Sequence, residues 1–253
     1  MSKSNKIRLD QLLLDRELVP SRSNAKSLIM AGKVLINEEV VDKAGTLVSV
    51  DVEIRMKESL KFVGRGGLKL EQALKSFDIA TQDKTCADIG ASTGGFSDCL
   101  LQNGAKKIYA IDVGYGQLHW KLVKDERVVS MERQNFRHFD LDQIKEPIDL
   151  IVMDVSFISI LKLLPKIQEL FQNMPPKTKP QQLVALIKPQ FEAGPGQVGK
   201  GGIVRDEAVR NQVIDKIKTA LVSAGFSNLQ ITPSPITGAD GNIEFLIGAT
   251  WNQ

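Results

Sequence analysis

From residue 84 onward, short apolar runs alternate with stretches whose apolar residues fall at helical spacing. The runs are "TCADIG" (85–90), "KIYAIDV" (107–113), "VVSME" (128–132), "DLIVMDV" (149–155) and "LVALIK" (183–188). Between them lie "GGFSDCLLQNG", "LHWKLVKDE" and "ILKLLPKIQELFQ". Parallel strands need a crossover between them, so this alternation predicts an α/β, doubly wound sheet with its central strands buried on both faces. The end of the chain breaks the pattern. "NLQITPSPI" (228–236) and "NIEFLIGATW" (242–251) flank the turn-rich "TGADG", which predicts a hairpin and one antiparallel strand.

A mostly parallel sheet of seven strands with an antiparallel terminal strand resembles the class I methyltransferase fold, which is Rossmann-like and binds S-adenosylmethionine. "DIGASTGGFSD" (88–98) follows the first strand and opens a helix. Gly90, Gly94 and Gly95 allow close backbone approach, Ser92 lies among them, and a helix N-terminus offers unpaired N–H groups. Asp112 ends the second strand about twenty residues on, where an acid can accept hydrogen bonds from ribose hydroxyls. Asn135, after the third strand, stands where an adenine edge can be met, although asparagine is also a common turn residue. These features define a nucleoside pocket, and dinucleotides would satisfy the first two equally. "GPGQVGKG" (194–201) fits a phosphate-loop pattern except that Gly201 stands where Ser or Thr should hold magnesium. A flap over the pocket is the better reading, and a plain surface turn the simpler one.

"LVALIKPQFEAG" (183–194) poses a sharper question, because a buried strand ends in an ammonium group with Pro189 behind it. Proline cannot continue a ladder, so Lys188 sits where pairing stops. Ligands of parallel sheets bind at the carboxyl ends of the strands, which is also where Asp154 ends "DLIVMD". Glu244 begins the last strand and reaches that edge if the strand is antiparallel. Before the sheet, "LKLEQALKSF" puts Leu70, Ala73, Leu74 and Phe77 on one helical stripe with Lys69 off it. Topology thus predicts that Lys69, Asp154, Lys188 and Glu244 converge. A ribose hydroxyl is a poor nucleophile near neutral pH, so its methylation needs a base or a firmly oriented acceptor. A lysine desolvated beside another cation can supply that base, and Lys188 is the candidate, with the two carboxylates moderating the shift.

The first segment reads as a separate small α+β module. "RLDQLLLDREL" carries leucines at helical spacing, and "SRSNAKSLIMAG" starts at an N-cap, Ser21, and stops at Gly32. Ala25, Leu28 and Ile29 form its apolar face, while Arg22 and Lys26 share another. "VLINEEVV" and "TLVSVDVEI" follow as short strands. Residues 1–70 hold 13 Lys or Arg against 9 Asp or Glu, a balance of +4, so all of the chain's formal net charge of +3 arises there. That asymmetry suits a polyanion. The residues "RLD" (8–10) and "SRSNAKSLIMAGKVLIN" (21–37) resemble the RNA-binding module named for ribosomal protein S-four. The resemblance implies that Arg8, Arg22, Lys26 and Lys33 meet RNA phosphates. The expected divisions are a module over 1–58, a linker over 59–65 and a methyltransferase domain over 66–253.

Taken whole, the sequence is similar to the TlyA family, some of whose members carry a haemolysin label. "RGGLKL" (65–70), "DIGASTGGF", "DVSFIS" (154–159), "IKPQFEAG", "VGKGGIVRD" (198–206) and "GNIEFL" (241–246) carry the likeness. FtsJ-type ribose methyltransferases are relatives, and their Lys-Asp-Lys-Glu tetrad maps onto Lys69, Asp154, Lys188 and Glu244. The resemblance implies 2′-O-methylation of cytidines in ribosomal RNA with S-adenosylmethionine as cofactor, ribosomal subunits as partners, and Arg65 among the RNA contacts. Gly64 departs from the serine expected before "RGG" and should loosen the joint.

Phe157 is read either as a stacking platform for a flipped base or ribose or as a core residue. His119 and His138 are isolated and receive no role. "MPPKTKPQ" (174–181) reads as a solvated loop. A pore-forming haemolysin is disfavoured because the chain shows no spanning run, export signal or strongly amphipathic helix. A non-catalytic RNA-binding protein is disfavoured by the intact tetrad, and base methylation by the lack of an Asn-Pro-Pro-Tyr/Phe stretch or a strand-end cysteine. Two cysteines, Cys86 and Cys99, make neither a disulfide framework nor a metal site, so a reducing cytoplasm is expected.

Overall fold

The computed structural model describes residues 6–56, 61–173 and 180–251. Residues 57–60 of the expected joint and 174–179 of the proline-rich stretch lie outside the described residues. The chain divides into two compact units, Met1–Leu60 and Lys61–Gln253.

In the first unit the order is β1 (Lys6–Arg8), α1 (Leu9–Asp15), α2 (Arg22–Met30), β2 (Val34–Ile36), β3 (Glu39–Val40), β4 (Leu47–Ser49) and β5 (Ile54–Met56). Ser21 caps α2 by accepting the Asn24 N–H at 3.2 Å, and Gly32 turns the chain at φ +64°. Leu9, Leu13, Ala25, Ile29 and Val34 are fully buried and make the small core. β2 pairs with β3 and β5, while β1, unforeseen from sequence, pairs with β4. Three residues are too few to display a period of two, which is why β1 escapes sequence reading.

The second unit opens with α3 (Gly66–Ser76) and continues β6 (Thr85–Ile89), α4 (Gly95–Gln102), β7 (Lys107–Ile111), α5 (Trp120–Val123), β8 (Val128–Met131) and β9 (Leu150–Met153). After these come α6 (Leu164–Gln172), β10 (Gln182–Ile187), α7 (Pro189–Glu192), α8 (Glu207–Ser223), β11 (Phe226–Pro233) and β12 (Phe245–Trp251). The seven strands lie in the order β11-β12-β10-β9-β6-β7-β8, and β12 runs antiparallel to both its neighbours. The antiparallel strand is therefore last in the chain but internal in the sheet. Every residue of β6 and β9, and all of β10 after Gln182, is buried, as continuous apolar runs require when both faces are covered. α8 is the longest helix described, yet only Val213, Ile217 and Leu221 are buried on it. So narrow a stripe in a charged sequence leaves little periodic signal.

Gly90 ends the first parallel strand at φ +83°, and a Cβ there would meet the Asp154 carbonyl oxygen at 2.6 Å. Backbone cannot yield as a side chain can. Gly90→Ala should cost about 3 kcal/mol from combined strain and overlap, read as a lowered Tm and denaturant midpoint.

Candidate active site

The ladder places the charged residues. Ile89 pairs with Met153, Met153 with Ala185, and Ile187 with Phe245. One step beyond those pairs stand Gly90, Asp154, Lys188 and, because β12 is antiparallel, Glu244. All four expected residues, Lys69, Asp154, Lys188 and Glu244, line one cavity of about 330 Å³.

Within it the charges form two pairs. Lys69 Nζ lies 2.6 Å from Glu244 Oε2 although 175 residues separate them, and both side chains are buried. Lys188 Nζ lies 2.7 Å from Asp154 Oδ1, off the hydrogen-bond axis, and donates its hydrogen bond to Ser156 Oγ at 2.7 Å. Each lysine is thus matched to a carboxylate, rather than Lys188 standing against a second cation as the sequence suggested. Such pairs hold an ammonium at a fixed point, and removing one partner of a buried pair costs about 3–5 kcal/mol.

Several supporting residues were assigned no role from the sequence. Gln190 Nε2 approaches Glu244 Oε1 at 3.4 Å, and Gly238 packs so closely that a Cβ would lie 2.1 Å from that oxygen. Buried Glu192 accepts the Ser159 hydroxyl at 2.6 Å and the Ile160 N–H at 2.7 Å, tying the segment after β9 to α7. Burial pushes its carboxyl above the ordinary range against the pull of those two donors. Asp88, beneath the glycine loop, accepts the Ser97 hydroxyl at 2.7 Å, and burial pushes it up to about 7.

A second cavity, about 480 Å³, adjoins the first and shares Gly90, Ser92, Ser156 and Phe157 with it. Asp112 and Asn135 line it. Asp112 accepts the Ser92 N–H at 2.8 Å on one oxygen and the Gly114 N–H at 2.7 Å on the other. It clamps two loops while each oxygen retains a lone pair for a further donor. Asn135 accepts the Arg137 N–H at 3.1 Å and so also caps a 3₁₀ turn. Gly95 lines the first cavity, and the close approach of Gly67 N, 3.0 Å from a Cβ built there, explains its identity. Gly94 lines neither cavity. At φ +91° it underlies Leu122, whose Cδ1 would lie 2.1 Å from a Cβ. The two cavities together suit a nucleoside joined to a short charged chain, because Gly90 leaves the floor open and Asp112 has acceptor capacity at the far end.

Three expectations change in the structure. Phe157 is not a core residue: it is 91% exposed, adopts φ +63°, and lies 5.1 Å from the Phe191 ring. Gly64 does not loosen the joint, because a Cβ there would meet Thr93 Oγ1 at 2.7 Å, and its absence lets "GRGG" close on the glycine loop. The 194–201 segment lines neither cavity. Its continuation is stapled to the turn before β12 by Asn242, which accepts from Val204 N and donates to Gly202 O.

In the first unit Arg8 and Arg22 both converge on buried Asp10, with Nε–Oδ distances of 2.9 and 3.0 Å. Both guanidinium groups remain half exposed, Lys26 is exposed on α2, and Lys33 is half-buried just past Gly32. Arg65, in the other unit, is exposed and lines the first cavity.

A doubly wound sheet with an internal antiparallel strand, two fused cavities at its carboxyl edge and an acid at the end of the second strand defines a class I, S-adenosylmethionine-dependent methyltransferase. Residues 62–251 match the FtsJ-like methyltransferase family and residues 7–54 the S4 domain, so this chain belongs to the FtsJ-like methyltransferases and carries an S4 domain. It is 48% identical to YqxC of Bacillus subtilis, over 98% of this chain and 87% of that one. It is 39% identical to the 16S/23S rRNA (cytidine-2'-O)-methyltransferase TlyA of Mycobacterium tuberculosis, over 96% and 90%. A solved structure from Streptococcus thermophilus with a hemolysin designation is 42% identical over 99% and 90%, with a TM-score of 0.73. Among the described residues no helix is long and apolar enough to cross a membrane.

Asp10 supplies a test of the first unit. The Arg8 hydrogen bond, helped by Arg22, holds its carboxyl at about 2 against the pull of burial. A depressed value stabilises the fold above the ordinary aspartate range, about 4, and that stability is lost as pH falls through the native value. The first unit should therefore weaken between about pH 4 and pH 2, and Asp10→Asn should be less stable at pH 7 and lose this acid dependence, followed by circular dichroism.

Proposed function

We propose that this chain transfers a methyl group from S-adenosylmethionine to a ribose 2′-hydroxyl of ribosomal RNA. The observation that carries the reading is the convergence of Lys69, Asp154, Lys188 and Glu244 in a cavity fused to the nucleoside cavity. The cofactor, when bound, supplies an electrophilic methyl on a sulfonium. Asp112 would accept from its ribose, Asn135 would meet its adenine, and Gly90, Ser92 and Gly95 would border its amino-acid part.

Lys188 is held by Asp154 and Ser156 in the first cavity, where the hydroxyl would enter. Once deprotonated, it would take the hydroxyl proton as the ribose oxygen accepts the methyl that the cofactor supplies. Asp154 then stabilises the ammonium produced. Lys69 and Glu244 form a second wall that orients the ribose. Alignment of acceptor, methyl and sulfur can contribute about 7 kcal/mol or more. Phe157, exposed in a strained backbone conformation beside Phe191, suits stacking against the extruded nucleotide.

The S4 unit would supply phosphate contacts through Arg8, Arg22, Lys26 and Lys33, with Arg65 nearer the reaction. Cytidine in either subunit is the favoured target, on the strength of the name borne by the Mycobacterium tuberculosis relative. Ribosomes as partner imply a cytoplasmic location.

Lys188→Ala should lower methyl transfer into ribosomal subunits by about 100-fold or more. Its affinity for S-adenosylmethionine, measured by calorimetry, should remain. Transfer at the wild-type rate would overturn the reading, as would mass mapping that finds no ribose methyl dependent on this protein. Phe157→Ala should raise KM for subunits about tenfold through loss of one stacking contact.

A further inference from the structure

Outside the two cavities, the segment following β7 exposes an unusual set of side chains. Tyr115 is 69% exposed and Trp120 is 62% exposed, with Val113 and Val123 also largely in solvent. Each ring carries a cation. The Arg133 guanidinium lies 4.1 Å from the centre of the Tyr115 ring, and Lys124 Nζ lies 5.3 Å from that of Trp120. The His119 ring is 5.7 Å from Trp120.

We propose that this surface is a second RNA contact, a platform on the methyltransferase unit where unpaired nucleotides stack on Tyr115 and Trp120 while Arg133 and Lys124 neutralise their phosphates. The inference deepens the RNA methyltransferase reading and rests on it.

The platform is built rather than loose. Gly114 N–H donates to Asp112 at 2.7 Å, Gly116 N–H to Glu132 at 2.8 Å, and Arg133 N–H to the Gly114 carbonyl at 2.9 Å. Arg133 is held at φ +57°, a region costly for a side chain of its size, and in that pose its guanidinium covers Tyr115. Of the nearby acids, Asp125 is paired with Arg127 at 2.8 Å and Glu132 accepts the Gly116 N–H, while Glu126 stands exposed. Exposed apolar groups in a cluster mark an interaction surface. Their occupant follows from the charges, since an apolar protein face would have to desolvate two unpaired cations at a heavy cost. A single strand of RNA offers phosphates to the cations and open base faces to the rings. The platform also adjoins the nucleoside cavity, because Val113 and Gln117 line it. A strand leaving the reaction point would have this surface within reach.

The chain has two tryptophans and Trp251 is buried, so quenching of exposed-tryptophan fluorescence reports on Trp120. Titrating the full chain with an unstructured uridine oligomer should quench it saturably, with affinity falling as salt rises. Tyr115→Ala and Arg133→Ala should each weaken the titration about tenfold, and Trp120→Phe should abolish the signal. Tyr115→Ala should also raise KM for ribosomal subunits about tenfold while binding S-adenosylmethionine as wild type. Absence of quenching, or titrations of Tyr115→Ala and Arg133→Ala that match the wild type's, overturns the proposal. So does a dimer by light scattering that Trp120→Ala dissociates, because the face would then be covered by a second copy. Quenching without methyl transfer by the wild type leaves the platform standing and removes the proposed reaction. Methyl transfer that neither substitution affects removes the platform alone.

Discussion

The Lys69–Glu244 ion pair joins the first helix of the methyltransferase unit to the entry of its last strand. It forms only if β12 is inserted antiparallel between β10 and β11, so it depends on the whole sheet being assembled. A buried pair of this kind adds little net stability over an apolar substitute, yet breaking it leaves a charge stranded. Its value lies in placement. With Lys69 and Glu244 locked together, one wall of the cavity is defined, and the Asp154–Lys188 pair faces the same space.

Strain gathers around that space. Ser92 sits at φ +48° and Phe157 at φ +63°, neither a glycine, and both line both cavities. Such conformations persist only where surrounding contacts over-determine them. Asp112 does this for Ser92 by accepting its N–H, and Glu192 does it near Phe157 by holding Ser159 and Ile160. The backbone that carries the exposed ring is thus held by its neighbours.

Much of this was readable beforehand. The central strands announced themselves because long apolar runs survive any choice of register, and Asp154, Lys188 and Glu244 followed from the rule that strand carboxyl ends hold ligands. Ser21 and Gly32 were legible because caps act locally. α8 was not, since its three buried residues, although four apart, make a thin stripe on seventeen largely charged or polar positions. That the 194–201 loop lines neither cavity was not legible, because the segment that follows it is held by Asn242, about forty residues away. Gly64 looked like a loosening and is a packing choice, which only the position of Thr93 reveals.

The amino-acid order alone determined which segments become the strands of the large sheet, which residues end them and that the first seventy residues carry a positive balance, because these depend on neighbours along the chain. Tertiary structure decided which lysine pairs with which carboxylate, that Asp10 gathers Arg8 and Arg22, and that Phe157 stands in solvent. The lysine–carboxylate pairs join residues far apart in sequence, and Asp10 gathers Arg22 only when the two helices of the first unit pack, so these distances exist only after folding.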